Sequence, residues 1–302
     1  MREGKRERRR RLVISAAFVW LAVLAGCRSG GQREDGAPEP EAVIFFGSTR
    51  DHMPGRPLAL HIYSMRLDGT GVTRLTFDEF ETAPDLSPDG RTLLFHSVRQ
   101  GISSIVQAYP DGSNQRVLLR NATSPDWSPD GSLIAVSARG DDGIGFPSVM
   151  NPDGSGLRRV SSLPGSDPTW SPDGEKLAFH QNGKQLFVIN TDGSGLNLIF
   201  EGGGGAPTWA PDGRSVAFVC QTVNQIADLC IVDAVDGADL VRISGPAQGP
   251  SWLPNGRILF SADCRLATVN SDGSDLRYVS SASPGCDYSP DLGRPAGAIA
   301  GR

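Results

Sequence analysis

Thr169-Trp170-Ser171-Pro172-Asp173-Gly174-Glu175-Lys176-Leu177-Ala178-Phe179 decides how this chain is read, because variants of it return along the sequence. Its centre, Ser-Pro-Asp-Gly, is a tight turn: Pro presets φ, Asp bonds back to the turn backbone, and Gly takes positive φ. An aromatic residue precedes the turn and an apolar run follows it, so each copy is a hairpin corner. The copies begin at Ser87, Ser128, Ser171, Ala210 and Leu253, with a truncated one at Ser289-Pro290-Asp291. Their prolines are separated by 41, 43, 39, 43 and 36 residues.

A second turn alternates with the first, at Asp68-Gly69, Asp111-Gly112, Asp153-Gly154, Asp192-Gly193, Asp236-Gly237 and Asp272-Gly273. Between the turns lie short runs rich in β-branched and aromatic residues, such as Leu93-Leu94-Phe95 and Leu186-Phe187-Val188-Ile189, which read as strands. Four strands, A to D, in each period of about 40 residues predict an all-β fold, a β-propeller. The first run, Val43-Ile44-Phe45-Phe46, matches a strand B with no strand A before it. Cys286-Asp287-Tyr288-Ser289-Pro290-Asp291 matches Pro84-Asp85-Leu86-Ser87-Pro88-Asp89. The C-terminus is therefore expected to supply strand A to the first blade, closing six four-stranded blades into a ring and hiding the terminal edges.

Outside the repeat, residues 1–11 carry seven basic and two acidic side chains, and an apolar run of fifteen follows at 12–26. That is the shape of a signal peptide, and it is short for a membrane span. The run ends in Leu24-Ala25-Gly26-Cys27, which resembles the bacterial lipoprotein cleavage box, in which the cysteine is lipidated. Arg9-Arg10 faintly resembles a twin-arginine export signal. Residues 28–41 are Gly, Pro, Gln and charge, the composition of a flexible tether. The expected division is a signal peptide at 1–26, lipidated Cys27 and tether at 27–41, the propeller at 42–292 and a disordered tail at 293–302. Without the leader, 22 basic and 32 acidic residues remain, a net charge of −10. That excludes a basic nucleic-acid footprint.

Pro-x-Trp-Ser-Pro-Asp-Gly, Leu-Ala-Phe, Asp-Gly-Ser-Gly and a closing Leu-Thr together resemble the propeller repeat of the TolB family, a WD-like repeat, over about residues 42–292. The resemblance implies a propeller of the bacterial envelope that binds a partner protein; the box at Cys27 adds the lipid anchor, and a monomer is expected. TolB itself has a separate N-terminal domain, whereas this chain passes from the lipidation signal directly into the repeat. Since Arg28 and not Asp follows Cys27, the resemblance to envelope lipoproteins favours the outer membrane, facing the periplasm, in a Gram-negative cell. Related propellers imply two alternatives: a metal-dependent polysaccharide lyase or hydrolase, and a ligand-sensing propeller.

Four cysteines remain beyond Cys27 in a chain sent to an oxidising compartment, which predicts disulfides. Cys220 and Cys230 flank the B–C loop of one blade, and Cys264 and Cys286 are expected to pair across the ring closure. The residue before the strand A aromatic is Asp85, Asp126, Thr169, Thr208, Ser251 and Asp287 in turn. Asp287, Asp85 and Asp126 are thus expected to form an acidic arc in the channel, able to take a cation such as Ca²⁺ or a basic group of a peptide. The plainer reading is that each Asp bonds neighbouring backbone. No other cofactor is implied, and no metal set is expected, since Cys-x-x-Cys is absent and His96 and His180 fall in non-adjacent blades. The long loop at 49–60 offers Arg50, His52 and Arg56 as a partner contact. No catalytic motif occurs, neither Gly-x-Ser-x-Gly nor His-Glu-x-x-His nor a phosphate loop, so no enzyme activity is expected.

Overall fold

The computed structural model describes residues 42–51, 59–78, 80–221, 227–283 and 285–293. The leader, Cys27, the tether, His52 and Arg56 lie outside them. Among the described residues twenty-four strands form six four-stranded antiparallel sheets. Blade 1 holds β1 (Val43–Ser48), β2 (His61–Arg66), β3 (Thr73–Arg74) and the last strand, β24 (Asp287–Gly293). Blade 2 holds β4 (Phe80–Leu86), β5 (Leu93–Arg99), β6 (Ile102–Ala108) and β7 (Arg116–Arg120). Blade 3 is β8 (Ala122–Trp127), β9 (Ile134–Arg139), β10 (Gly145–Met150) and β11 (Arg158–Arg159). Blade 4 is β12 (Ser166–Trp170), β13 (Lys176–Gln181), β14 (Gln185–Asn190) and β15 (Asn197–Glu201). Blade 5 is β16 (Gly205–Trp209), β17 (Ser215–Gln221), β18 (Ala227–Asp233) and β19 (Val241–Ile243), and blade 6 is β20 (Ala247–Trp252), β21 (Arg257–Ala262), β22 (Arg265–Asn270) and β23 (Arg277–Tyr278). The fold is the six-bladed propeller that the repeat predicts, closed by β24 against β1.

Both turn families form as their residues dictate. In the A–B turn of blade 2 the Ser87 hydroxyl and the Arg91 N–H donate to Asp89 Oδ1 at 2.6 and 3.0 Å, and Gly90 has φ +70°. In the C–D turn of blade 3 the Ser155 N–H and hydroxyl donate to Asp153 Oδ1 at 2.9 and 2.6 Å. The glycine of that turn has a second task. A Cβ on Gly154 would stand 2.9 Å from Leu118 O of the preceding blade, and one on Gly193 would stand 3.0 Å from Val160 O. At Gly69, Gly112 and Gly237 the facing carbonyls of the neighbouring blade, Val279 O, Leu75 O and Ile199 O, are closer still. Asp-Gly is therefore an inter-blade contact as well as a turn.

The core lies between blades. Strand B inserts Phe46, Phe95, Phe179 and Phe218, all at most 0% exposed, into the neighbouring sheet. In one such layer Ala178, Leu186 and Val188 of blade 4 pack on Trp209, Val216 and Phe218 of blade 5. The two expected disulfides are present: Cys220–Cys230 inside blade 5, and Cys264–Cys286 joining the blade 6 hairpin to the residue before β24.

The register of β24 differs from the sequence expectation by four residues. Asp291 pairs with Phe45 and Leu292 with Ile44, as Asp85 pairs with Leu94 and Leu86 with Leu93. Pro290-Asp291-Leu292 is therefore the counterpart of Pro84-Asp85-Leu86, and Ser289-Pro290-Asp291 is no turn. β24 also runs through Gly293, which the sequence reading placed in the tail.

Candidate functional site: the channel and its two mouths

The channel wall is built by the same four residues of each inner strand. Every inner strand shifts register on its partner at one point. The residue at the bulge, Ala83, Ser124, Asp167, Ala206, Gly249 or Ser289, has φ between 43° and 54°. That is left-handed backbone, and five of the six are not glycine, a strain that persists only where the surrounding fold imposes it. A proline follows each, then a short polar residue, then Trp or Leu. The polar ring is Asp85, Asp126, Thr169, Thr208, Ser251 and Asp291, which line both mouths. At the A–B turn end it opens into a funnel of about 500 Å³ walled by Trp127, Trp170, Trp209, Trp252, Leu86 and Leu292, with the turn prolines at its rim. Ala42, where the described chain begins, also lines this funnel. At the other end the bulge residues and His96 border a cavity of about 300 Å³.

The acidic arc is therefore Asp291, Asp85 and Asp126, not Asp287. Each of the three stitches its blade to the next. The backbone N–H of Leu86 donates to Asp291 Oδ2 at 3.4 Å, that of Trp127 to Asp85 Oδ2 at 2.5 Å, and that of Trp170 to Asp126 Oδ2 at 2.7 Å. The indole N–H of Trp170 adds a bond to Asp126 O at 3.1 Å, and that of Trp209 a bond to Thr169 O at 3.2 Å. The indole nitrogens of Trp127 and Trp252 are buried without a partner among the described residues. Burial pushes the Asp126 carboxyl up to about 7; the Trp170 N–H opposes this, the Asp291 carboxylate adds to it, and the Thr169 hydroxyl opposes it.

This shift has a measurable sign. In the unfolded chain Asp126 titrates near 3.9, so between about pH 4 and pH 7 the folded state holds more protons than the unfolded one. Stability contributed by Asp126 then falls as pH rises through that window and levels off above it. Asn keeps the acceptor for Trp170 but cannot ionise. The melting temperature of Asp126→Asn relative to wild type is expected to rise between pH 4.5 and pH 8. A difference that stays constant over that range would remove the assignment.

Asp287 is four residues away and fully buried. It accepts from the Ser48 hydroxyl at 2.7 Å, Arg50 Nη2 at 2.8 Å and the Ser280 hydroxyl at 3.0 Å. Arg50, expected to offer itself to a partner, is turned inward by that ion pair and lies over the rings of Phe46 and Tyr63, 5.0 Å from each centroid. Both residues serve ring closure.

Asp167, which the sequence reading passed over, joins blade 4 to blade 3. Its carboxylate accepts from the Ser124 hydroxyl at 2.5 Å and meets His180 Nε2 at 3.0 Å. The Gly183 N–H donates to His180 Nδ1 at 3.1 Å, so Nε2 carries the proton that Asp167 receives. Serine, carboxylate and imidazole are in contact but in an order that activates no nucleophile, because the hydroxyl bonds the carboxylate and not the imidazole. Burial raises the Asp167 carboxyl and the His180 bond and charge outweigh it, leaving the group below its ordinary value. His96 borders the same mouth, and burial lowers its imidazole to about 4. Among the described residues no three His, Cys, Asp or Glu side chains are grouped to hold a metal ion.

Comparison with known proteins bears on this geometry. The family model described as the TolB beta propeller domain matches residues 119–285, more than half of the chain. The Tol-Pal system protein TolB of Geobacter sulfurreducens is 41% identical over 71 residues, 22% of this chain and 16% of that protein. An uncharacterised protein of Agrobacterium fabrum is 33% identical over 122 residues, 36% of this chain and 41% of that one. The matched stretches thus span less than half the length of either relative. The crystal structure of TolB from Acinetobacter baumannii superposes with a TM-score of 0.71 at 17% identity, covering 84% of this chain and 66% of that one, which is agreement of fold. With the turn pairs, the six closed blades and the match over residues 119–285 in agreement, the chain belongs to the TolB β-propeller family.

Proposed function

We propose that this chain is a lipid-anchored scaffold of the bacterial cell envelope, monomeric, that receives a partner protein over the Trp-walled mouth of its channel. The observation that carries the reading is the funnel itself: four tryptophans above a polar ring with three carboxylates on one side. An aromatic wall attracts a cation through the ring faces. An ionised carboxylate offers about four lone-pair sites, so bonding one backbone N–H is compatible with receiving a ligand cation. The fitting group is an ammonium or guanidinium on the partner, from a Lys or Arg side chain or an amino terminus. Membership of the TolB propeller family supports a binding role rather than catalysis. The dipeptide of Cys27 and Arg28 supports lipidation and, in a Gram-negative cell, the outer membrane.

In-cell cross-linking and affinity capture test the reading, with Cys27→Ser as the anchoring control. One dominant envelope partner is expected, and its capture should fall about tenfold when Asp85, Asp126 and Asp291 are replaced together by Asn, the loss of roughly one good charge-assisted contact. Capture that never exceeds the control would overturn the scaffold, and capture indifferent to the triple variant would overturn the channel as its site.

A further inference from the structure

The chain contains two Asn-Gly steps, Asn182-Gly183 and Asn255-Gly256, and this dipeptide carries a reaction of its own. The amide nitrogen of the glycine can close a five-membered ring on the carboxamide carbon of the asparagine, and glycine, having no Cβ, leaves that approach open. The amide proton is the obstacle, since it must leave for the nitrogen to attack. A base positioned on it lowers that barrier. The two steps differ in what their glycine N–H meets.

Asn182 and Gly183 form the corner between β13 and β14, with φ of 52° and 61°, as the central residues of a type I′ turn do. The Lys184 N–H closes the turn on Gln181 O at 3.0 Å. The chain that follows β15 fixes it in place: the Gly204 N–H donates to Gly183 O at 3.0 Å, and the N–H groups of Gly202 and Gly203 donate to Lys184 O at 3.0 and 2.9 Å. So held, the Gly183 N–H donates to His180 Nδ1 at 3.1 Å, and His180 Nε2 gives its proton to Asp167 Oδ2 at 3.0 Å. Carboxylate, imidazole and N–H stand in the order in which an imidazole acts as a base. The Ser124 hydroxyl bonds the other oxygen of Asp167 and takes no part. The Asn182 side chain is exposed and makes no hydrogen bond among the described residues, so its carboxamide can turn towards the nitrogen. At the second step the Gly256 N–H donates to Leu253 O at 3.0 Å, a carbonyl and no base, and Asn255 Oδ1 is held by the Arg257 N–H at 3.1 Å.

We infer that Asn182 is a site of self-catalysed deamidation, with His180 as its base and Asp167 orienting the imidazole. Gly183 N bonds to Asn182 Cγ, and its proton passes to His180 Nδ1 and from there to the carboxamide nitrogen. The bond from that nitrogen to Cγ breaks, and ammonia leaves. Water then opens the cyclic imide at one or the other carbonyl, giving aspartate or isoaspartate at position 182. Water is the only other reactant, and nothing is oxidised or reduced. The product sets a new carboxylate in the turn that holds Lys184, and as isoaspartate it lengthens the backbone of the hairpin by one carbon.

The purified protein is incubated near neutral pH and about 37 °C, and the peptides holding positions 182 and 255 are followed by mass spectrometry, with isoaspartate scored by enzymatic methylation. Asn255 is the internal reference for Asn-Gly chemistry in the same fold. Deamidation at Asn182 is expected to run at least about tenfold faster than at Asn255, a small share of what a positioned base supplies, with isoaspartate among the products. His180→Gln should bring the two rates to within about twofold of each other by removing the base, while Asn255 keeps its own rate and so reports that the fold is intact. Denaturation of the wild type should also equalise the rates, since it parts His180 from Gly183, and it replaces the variant if His180→Gln does not fold. A native ratio below about fivefold, short of the effect of a positioned base, would overturn the inference. So would a ratio that both His180→Gln and denaturation leave unchanged, or a product without isoaspartate.

Discussion

Gly237→Ala is expected to destabilise the propeller by about 3 kcal/mol, a large loss for a single methyl group. Two costs combine. Gly237 has φ +68°, and an L-residue in left-handed backbone costs about 1 kcal/mol. The new Cβ would also fall within the van der Waals radius of Ile199 O on the preceding blade, so the two blades must part, and close-packed interiors yield little. Gly256→Ala separates the two effects. It too has positive φ, +79°, but its Cβ would meet nothing within 4 Å, so about 1 kcal/mol is expected. Urea denaturation of both variants, compared through their midpoints, checks the pair. Equal losses would mean that the C–D glycine is there for its turn alone.

Asp287→Ala is expected to cost about 3 to 5 kcal/mol, the range for removing one partner of a buried ion pair. The substitution strands Arg50, whose side chain is 17% exposed, and leaves the hydroxyls of Ser48 and Ser280 without their acceptor. These groups come from both ends of the chain, so the loss acts on the joint that holds the ring shut. The Cys264–Cys286 disulfide lies beside that joint and keeps β24 tethered when the ion pair is gone. Asp287→Ala should accordingly be far more damaging in reducing agent than in its absence, a difference that denaturation with and without dithiothreitol reads directly. A loss under 1 kcal/mol in both conditions would mean that Asp287 does not hold the closure.

Most of the architecture was legible because its signals are local. Asp-Gly and Ser-Pro-Asp-Gly specify turns through their own φ preferences and side-chain bonds, and Leu93-Leu94-Phe95 or Leu177-Ala178-Phe179 are short continuous apolar runs, the pattern of strands buried on both faces. Ser289-Pro290-Asp291 misled for a physical reason. Ser-Pro-Asp fits the A–B turn, while Pro-Asp followed by Leu fits the inner strand, and only pairing with β1 chooses between them. The repeated Pro-Asp-Leu and Pro-Asp-Trp of the inner strands held the correct signal. The loop before Cys286 is longer than its counterparts, which carried the alignment four residues off. The bulge ring left a fainter trace: a small or polar residue before each inner-strand proline, at Ala83, Ser124, Asp167, Ala206, Gly249 and Ser289.

The candidate sites were less legible, because they depend on which blades are neighbours. Asp126 is an ordinary aspartate in the sequence, and its high pKa comes from burial beside Trp170, with the Asp291 carboxylate of the same arc adding to it. Arg50 in a long loop suggested a contact, and the buried Asp287 drew it inward. By itself the amino-acid sequence determined the strands, the turns, the number of blades and the closing of the ring, since each rests on contacts within about forty residues or on counting them. Tertiary structure alone decided the register of the last strand, the makeup of the acidic arc and the Trp funnel. Those depend on distances between blades, which a repeat sets only once the ring has closed.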